Sequence, residues 1–202
     1  MKLYFAPGAC SLAAHIAIEE AGLPHTLERV DLASHKTEHG ADYTKINPKG
    51  YVPALMLDNG ELLTEVGVVL QYLSDQRKDR RLMAEAGTLE RYRQMEWLSF
   101  ISTELHKQFS PLFRPDTPVA TKEQQLKLIG RRLDYISEVL ARQPYLAGAE
   151  FTAPDAYLFT VLGWTDYLKI DMTPWPRLGE YRARIAARPA VQKTLKGEGL
   201  LK

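Results

Sequence analysis

Lys2-Leu3-Tyr4-Phe5-Ala6-Pro7-Gly8-Ala9-Cys10-Ser11-Leu12 is the stretch whose reading sets the fold. Lys2 to Phe5 make a short strand, and Pro7-Gly8 ends it with turn chemistry. From Ser11 onward Leu12, Ile16, Ala17 and Ala21 recur at helical spacing, and Gly22 stops the run. Cys10 therefore opens a helix directly after a strand and a tight turn. The amide groups and dipole at a helix N-terminus favour an anion, so the expectation here is a thiolate with a depressed pKa. The competing reading is a small buried apolar residue, which is what most lone cysteines are. Ser11 either caps the helix or hydrogen-bonds a bound sulfur.

Working outward, Thr26 to Leu32 reads as a second strand, and residues 34–47 as irregular with one helical turn at Asp42 to Ile46. Ala54–Leu57 and Glu61–Leu63 flank Asp58-Asn59-Gly60, a hairpin signal. Glu65 to Ser74 reads as a helix with Val68, Val69, Tyr72 and Leu73 inward. Residues 79–88 are charged and lack apolar periodicity, as a linker does. Beyond them the pattern is helical throughout: one long helix over Leu89–Phe113, another over Lys122–Leu140, an apolar one after Phe151-Thr152-Ala153-Pro154-Asp155, and two shorter ones after Pro174 and Pro189. Thr152 and Asp155 have the spacing of a capping box. The expected class is α/β plus all-α: a βαβαββα domain over 1–78, a linker over 79–88, and an all-helical domain over 89–202.

The totals bound the function. The chain has 202 residues, 45% hydrophobic and 25% charged, with a net charge of +1, which is ordinary for a globular protein. Such a balance gives no field to draw in nucleic acid or an anionic membrane. Ala156–Trp164, the most apolar run, is too short to span a bilayer, and the first residues lack the apolar core of a signal peptide. A cytoplasmic location is the expectation. The single cysteine excludes an internal disulfide and a cysteine-cluster metal site. No His-x-x-x-His pair or carboxylate cluster suggests a metal.

Three further signals accompany Cys10. Gly50-Tyr51-Val52-Pro53-Ala54-Leu55 puts a proline just before a strand; in the cis form Pro53 would leave the Val52 backbone to pair with an extended ligand. Thr64-Glu65-Val66 opens a helix, where backbone N–H groups bind carboxylates and Glu65 can take an ammonium group. Glu104-Leu105-His106-Lys107 puts a histidine in the middle of the long helix, as a base or hydrogen-bond donor near a thiol. Each has a plain alternative: a turn, a dipole-stabilising glutamate and a surface histidine. His15 reads as a packing residue, and the spacing of His25, His35 and His39 assigns them nothing. In this order the signals describe a thioredoxin-like domain, whose thiol, proline edge and anion site meet in one pocket sized for a γ-glutamyl-cysteinyl-glycine tripeptide.

Nearly end to end the sequence resembles the beta-class glutathione transferases of bacteria. The matching pieces are Pro7-Gly8-Ala9-Cys10-Ser11-Leu12, Asn47 to Leu55, Leu63-Thr64-Glu65, Glu104-Leu105-His106-Lys107, Ser110-Pro111-Leu112-Phe113 and Ala153 to Phe159. The resemblance implies that Cys10, with Ala9 and Ser11 beside it, contacts or traps the glutathione sulfur. It implies that Val52 pairs with the cysteinyl backbone beside cis-Pro53, that Glu65 and the Val66 amide hold the γ-glutamyl end, and that His106 faces the sulfur. It implies a homodimer in which Ser99 and Thr103 of the partner subunit complete the site. Three positions depart from the pattern: His35, followed by Lys36, stands where the family often has a lysine for the glycyl carboxylate; Ser99 replaces asparagine; Val66 replaces glycine or serine. Weaker glutathione binding is expected unless Lys36 substitutes, and if His35 is the ligand, affinity falls as it deprotonates across roughly pH 6–7.

The implied activity is conjugation of glutathione to small hydrophobic electrophiles, with Phe109, Phe113, Trp164 and Tyr167 as the electrophile wall. Monothiol chemistry at Cys10, such as mixed-disulfide reduction or reductive dehalogenation, is the second expectation. A non-catalytic interaction module of the same fold is the alternative from another class.

Overall fold

The computed structural model describes residues 1–77 and 82–201. The expected domain boundary at 78, and the first three residues of the expected linker, lie outside them. The chain divides into two compact units, Met1–Met83 with Ala187–Lys202, and Ala84–Ala186.

The first unit is built on β1 (Lys2–Phe5), α1 (Ser11–Ala21), β2 (Thr26–Asp31), β3 (Lys36–Thr37), α2 (Tyr43–Ile46), β4 (Ala54–Met56), β5 (Leu62–Thr64) and α3 (Val66–Asp75). Its sheet runs β3-β2-β1-β4-β5. β1 and β2 are parallel because α1 carries the chain back to the starting edge. β4 and β5 are antiparallel, with Ala54 opposite Thr64, and Gly60 takes the positive φ (84°) that the tight turn between them needs. β3 was absent from the sequence expectation, which left 34–47 irregular; a two-residue strand is too short to show a period of two.

α1 is buried nearly all round, from Ser11 to Ile18 and again at Ala21. It packs against α3 and against α9 (Pro189–Gly197), the last helix of the chain. Its four alanines let those neighbours approach, and ion pairs tie the two ends of the sequence: Arg188 grips Glu20 at 2.6 and 2.9 Å, and Lys193 reaches Glu19 at 2.7 Å. The buried face of α3 is Val66, Val69, Leu70, Leu73 and Ser74. This corrects the expected inward set: Val68 is 46% exposed and Tyr72 half-buried, because the true stripe runs through Val66 and Leu70 instead.

The second unit contains α4 (Leu89–Phe100), a π-helical segment (Ile101–His106), α5 (Lys107–Phe109), a 3₁₀ turn (Ser110–Phe113), α6 (Val119–Leu140), α7 (Ala153–Tyr167) and α8 (Pro176–Ala186). Residues 89–113 are thus helical throughout, as expected, but change pitch at 101–106, a wide turn frequent at functional sites. α7 forms the core, buried over most of its length. Asp155 fixes its start: the carboxylate accepts from the Thr152 N–H (2.8 Å), the Thr152 hydroxyl (2.8 Å), the Leu146 N–H (2.9 Å) and the Tyr181 hydroxyl (2.8 Å). Burial pushes its pKa up while these four donors pull it down. Among the described residues no helix is long and apolar enough to cross a membrane.

Candidate active site

In the first unit the strand-to-helix turn is pinned by Ser11. Its hydroxyl accepts from the Ala6 N–H at 3.1 Å and donates to the Ala6 carbonyl at 3.2 Å, and the side chain is fully buried. Ser11, expected near a bound sulfur, is therefore engaged by its own turn. Ala9 donates to the Ala6 carbonyl at 3.0 Å, and Glu198, just past α9, accepts from the Gly8 N–H at 2.9 Å.

These contacts set Cys10 as the N-cap of α1, half-buried, with Sγ donating to the Val52 carbonyl at 2.9 Å. A thiol makes this contact; a thiolate has no hydrogen to give. The Val52–Pro53 peptide is cis. The carbonyl before it, that of Tyr51, is held by two donors, the Tyr43 hydroxyl at 2.7 Å and the Asn47 amide at 2.8 Å. Tyr43 is completely buried in a cluster with Tyr4, Ala6, Val30, Val52 and Ala54, against which Ala9 packs. Burial raises the pKa of its hydroxyl, so it stays a donor.

Glu65 precedes α3 with φ 69° and ψ 119°, outside the regions that L-residues commonly occupy. Strain of this kind collects at functional sites. Its exposed carboxylate pairs with Lys49 Nζ at 2.7 Å, and Lys49 also donates to the Thr64 hydroxyl at 3.0 Å. Val66, the next residue, is the first of α3 and is buried. His35 has φ 53°, and its ring lies so near Gly50 that a Cβ there would come within 3.0 Å of the ring. His35 thus stands beside the loop that leads to Val52 and Pro53. Lys36 is exposed at the start of β3.

In the second unit His106 ends the π-helical segment. Its Nδ1 lies 2.6 Å from the buried Tyr157 hydroxyl, and its ring meets Trp164 edge to face at 4.8 Å. Burial, then the charge of Lys107, lowers its pKa from 6.5 to about 4. It is neutral at pH 7, and a base this weak is poorly matched to a thiol proton. Nδ1 and the Tyr157 hydroxyl share one hydrogen, and in the tautomer where the hydroxyl donates it, Nε2–H is left to donate. Trp164 also contacts Phe109 at 5.7 Å and Phe113 at 5.5 Å, and Phe113 contacts Tyr167 at 6.0 Å. All four expected wall residues therefore form one aromatic cluster with His106. Within it Phe109 is fully buried as backing, while Phe113 is 43% and Tyr167 79% exposed. Ser99 and Thr103 lie one turn apart on an exposed face, with the Thr103 hydroxyl donating to the Ser99 carbonyl at 3.0 Å.

Sequence reasoning missed Lys49, Tyr43, Asn47 and Glu198. Lys49 and Asn47 lay inside a quoted motif, but their partners are 16 and 4 residues away and no spacing rule links them. Glu198 reaches across 190 residues to Gly8.

The family comparison agrees with this geometry. Residues 8–76 match the glutathione S-transferase N-terminal domain, and residues 100–189 match the C-terminal domain. A glutathione S-transferase (GstA) of Escherichia coli O157:H7 is 47% identical over 200 residues, covering 99% of this chain and all of the relative. A beta-class glutathione S-transferase structure from Sphingomonas chungbukensis is 46% identical with a TM-score of 0.96, covering the whole of both chains. A sphingomonad glutathione S-transferase solved in complex with glutathione matches equally, at 46% identity and a TM-score of 0.96 over the whole of both chains. With domain models spanning most of its length and such relatives matching end to end, the chain belongs to the glutathione S-transferase family as a homologue of the bacterial beta-class members.

Proposed function

We propose that the chain conjugates reduced glutathione to small hydrophobic electrophiles, with Cys10 at the sulfur. The observation that carries this reading is the position of Cys10 Sγ, 2.9 Å from the Val52 carbonyl at the start of α1. Glutathione is the cosubstrate. In this reading the segment up to residue 78 handles glutathione and residues 89–202 handle the electrophile and the dimer contacts. Ala9 and Cys10 border the sulfur, and the Val52 backbone beside Pro53 pairs with the cysteinyl unit. Glu65 takes the γ-glutamyl ammonium, and the Val66 amide takes its carboxylate. His35 and Lys36 share the glycyl carboxylate. Ser11 acts by holding the turn.

His106 serves as a neutral hydrogen-bond donor to glutathione, supported by its low pKa and its contact with Tyr157. Phe113, Trp164 and Tyr167, backed by Phe109, form the apolar wall. The working form is a cytoplasmic homodimer with Ser99 and Thr103 acting across the subunit boundary. Exposed Tyr92 and Leu89 on α4 support this, being large apolar groups on the helix that carries Ser99.

A second reactivity is favoured by the same thiol: mixed-disulfide exchange at Cys10, with glutathione as the resolving thiol. Calorimetric titration with reduced glutathione, intact mass after oxidised glutathione, and turnover of an aryl halide test both. Saturable binding and turnover above background are expected, with a one-glutathione adduct that disappears in Cys10→Ala. Absence of binding and of turnover with several electrophiles sinks the transferase reading.

A further inference from the structure

Away from the Cys10 turn, the first unit gathers His15, Glu19 and His25. One ligand-capable atom of each lies within 4.8 Å of those of the other two. His15 and Glu19 are one turn apart on the same face of α1. His25 arrives from the loop between Gly22 and β2. The set carries no paired-histidine signature in sequence, because the second member on the helix is a glutamate and the third follows a turn.

What separates this group from a chance cluster is how its imidazoles are oriented. The Nδ1 of His15 lies 2.9 Å from Glu198 Oε1, and the Nδ1 of His25 lies 2.9 Å from the Leu23 carbonyl. A carboxylate and a carbonyl can only accept. Both Nδ1 atoms therefore carry hydrogen, and Nε2 is the ring nitrogen that each histidine has left to offer a metal ion. Metal-binding histidines are commonly held in this way, with the other nitrogen donating to a carboxylate or backbone carbonyl. Neither Glu198 nor Leu23 belongs to the cluster, so the orientation is imposed from outside. Glu198 is itself fixed, since its other oxygen accepts from Gly8.

His25 Nε2 faces Glu19 Oε1 at 3.7 Å. A lone pair and a carboxylate oxygen so placed are favourable only with a cation between them, either a proton or a metal ion. Lys193 balances the other Glu19 oxygen at 2.7 Å, but its side chain is 70% exposed, so it can swing into solvent at little cost.

We propose that His15, Glu19 and His25 bind a divalent transition-metal ion of the zinc class through two Nε2 atoms and one carboxylate oxygen, with water completing a four-coordinate shell. Two nitrogens and one oxygen suit a borderline ion; magnesium and calcium favour oxygen alone. Bonds of about 2.0–2.1 Å set ligands roughly 3.3 Å apart in a tetrahedron, so the set must contract. Both imidazoles are held through Nδ1, so the contraction falls to Glu19, whose balancing Lys193 is exposed. The ion is independent of glutathione chemistry. It joins α1 to the loop after it and, through Glu198, to the segment after α9 and the turn before Cys10.

The test uses the tag-free full-length chain carrying Cys10→Ala, which removes the thiol as a competing ligand. Titration with Co²⁺ is followed by the visible bands of four-coordinate cobalt, and Zn²⁺ binding by calorimetry. One ion per chain is expected, with a higher thermal midpoint in Zn²⁺. Glu19→Gln and His25→Ala should each weaken binding at least tenfold, while His39→Ala, an exposed histidine outside the cluster, leaves it unchanged. Circular dichroism checks the fold; if His25→Ala fails that check, the near-isosteric Glu19→Gln decides. The proposal is overturned if neither ion binds saturably, or if binding survives Glu19→Gln with unchanged affinity, in which case the ion sits elsewhere.

Discussion

Cys10 gives its thiol hydrogen to the Val52 carbonyl across 2.9 Å, so the residue expected to meet the substrate sulfur and the backbone expected to pair with the substrate are already bonded to each other. A glutathione cysteinyl N–H arriving at Val52 shares or displaces that bond. Cys10→Ala removes the competitor along with the nucleophile. The expected outcome is complete loss of the glutathione adduct by intact mass, with glutathione affinity changed by less than about tenfold, the worth of one ordinary hydrogen bond. A hundredfold loss of affinity would mean instead that the sulfur–sulfur contact dominates binding.

Glu65 sits on a strained backbone and is paired only at the surface, with Lys49. Glu65→Ala should barely change stability, because exposed pairs contribute about 0–1 kcal/mol. Glutathione binding should weaken about ten- to a hundredfold, the range of a lost charge-assisted hydrogen bond. Calorimetry and urea unfolding, run together, separate the two effects.

His106 makes stability depend on pH. Its pKa is about 4 in the folded chain against the ordinary histidine value of 6.5. Between those values the unfolded chain binds the proton and the folded chain does not, so acid favours unfolding. The contribution is fully present above pH 6.5 and is lost as pH falls towards 4, amounting to roughly 3 kcal/mol at most. Urea midpoints of wild type and His106→Gln should converge or cross as pH drops from 7 to 4. Parallel curves would show that His106 does not set this dependence.

Asp155→Ala strips four donors of their common acceptor at the start of α7. A buried network broken on one side costs about 3–5 kcal/mol, most of what a domain has to spare. Thermal unfolding should show a midpoint lowered by many degrees or no cooperative transition. Asp155→Asn, which keeps one acceptor, should fall between.

Gly50→Ala meets two obstacles: φ is 69° and the new Cβ would lie 3.0 Å from the His35 ring. A loss of about 1–2 kcal/mol is expected, together with displacement of His35. If His35 holds the glycyl carboxylate, His35→Ala weakens glutathione binding in the wild-type background and has a smaller effect in the Gly50→Ala background. Equal effects in the two backgrounds would remove His35 from the site.

Local chemistry explains what the sequence disclosed. Gly22, Asp58-Asn59-Gly60 and Thr152–Asp155 are short-range signals, and each lies where it was expected within a residue or so. The βαβ start, the hairpin and the apolar α7 follow from them. The change to π-helical pitch at Ile101–His106 left no such mark, since the side chains around it still satisfy a helical pattern. On α3 period alone cannot choose between two neighbouring apolar stripes, which is why Val68 and Tyr72 read as inward in the sequence but are not buried in the fold. Cys10, Val52, Glu65 and His106, the residues proposed for the site, stand out in the sequence through their motifs. The groups that hold them, Tyr43 and Asn47 on the Tyr51 carbonyl and Glu198 on Gly8, depend on folding that brings distant residues together.

Helix α9 joins α1 although the whole second unit lies between them in sequence. During synthesis the helical unit, continuous from Ala84 to Ala186, can close as soon as it leaves the ribosome, whereas the sheet-bearing unit must wait for the final residues. The part of the protein made first is therefore finished last, and a ribosome that stops short of Arg188 releases a chain whose oldest helix still exposes the face that α9 would cover.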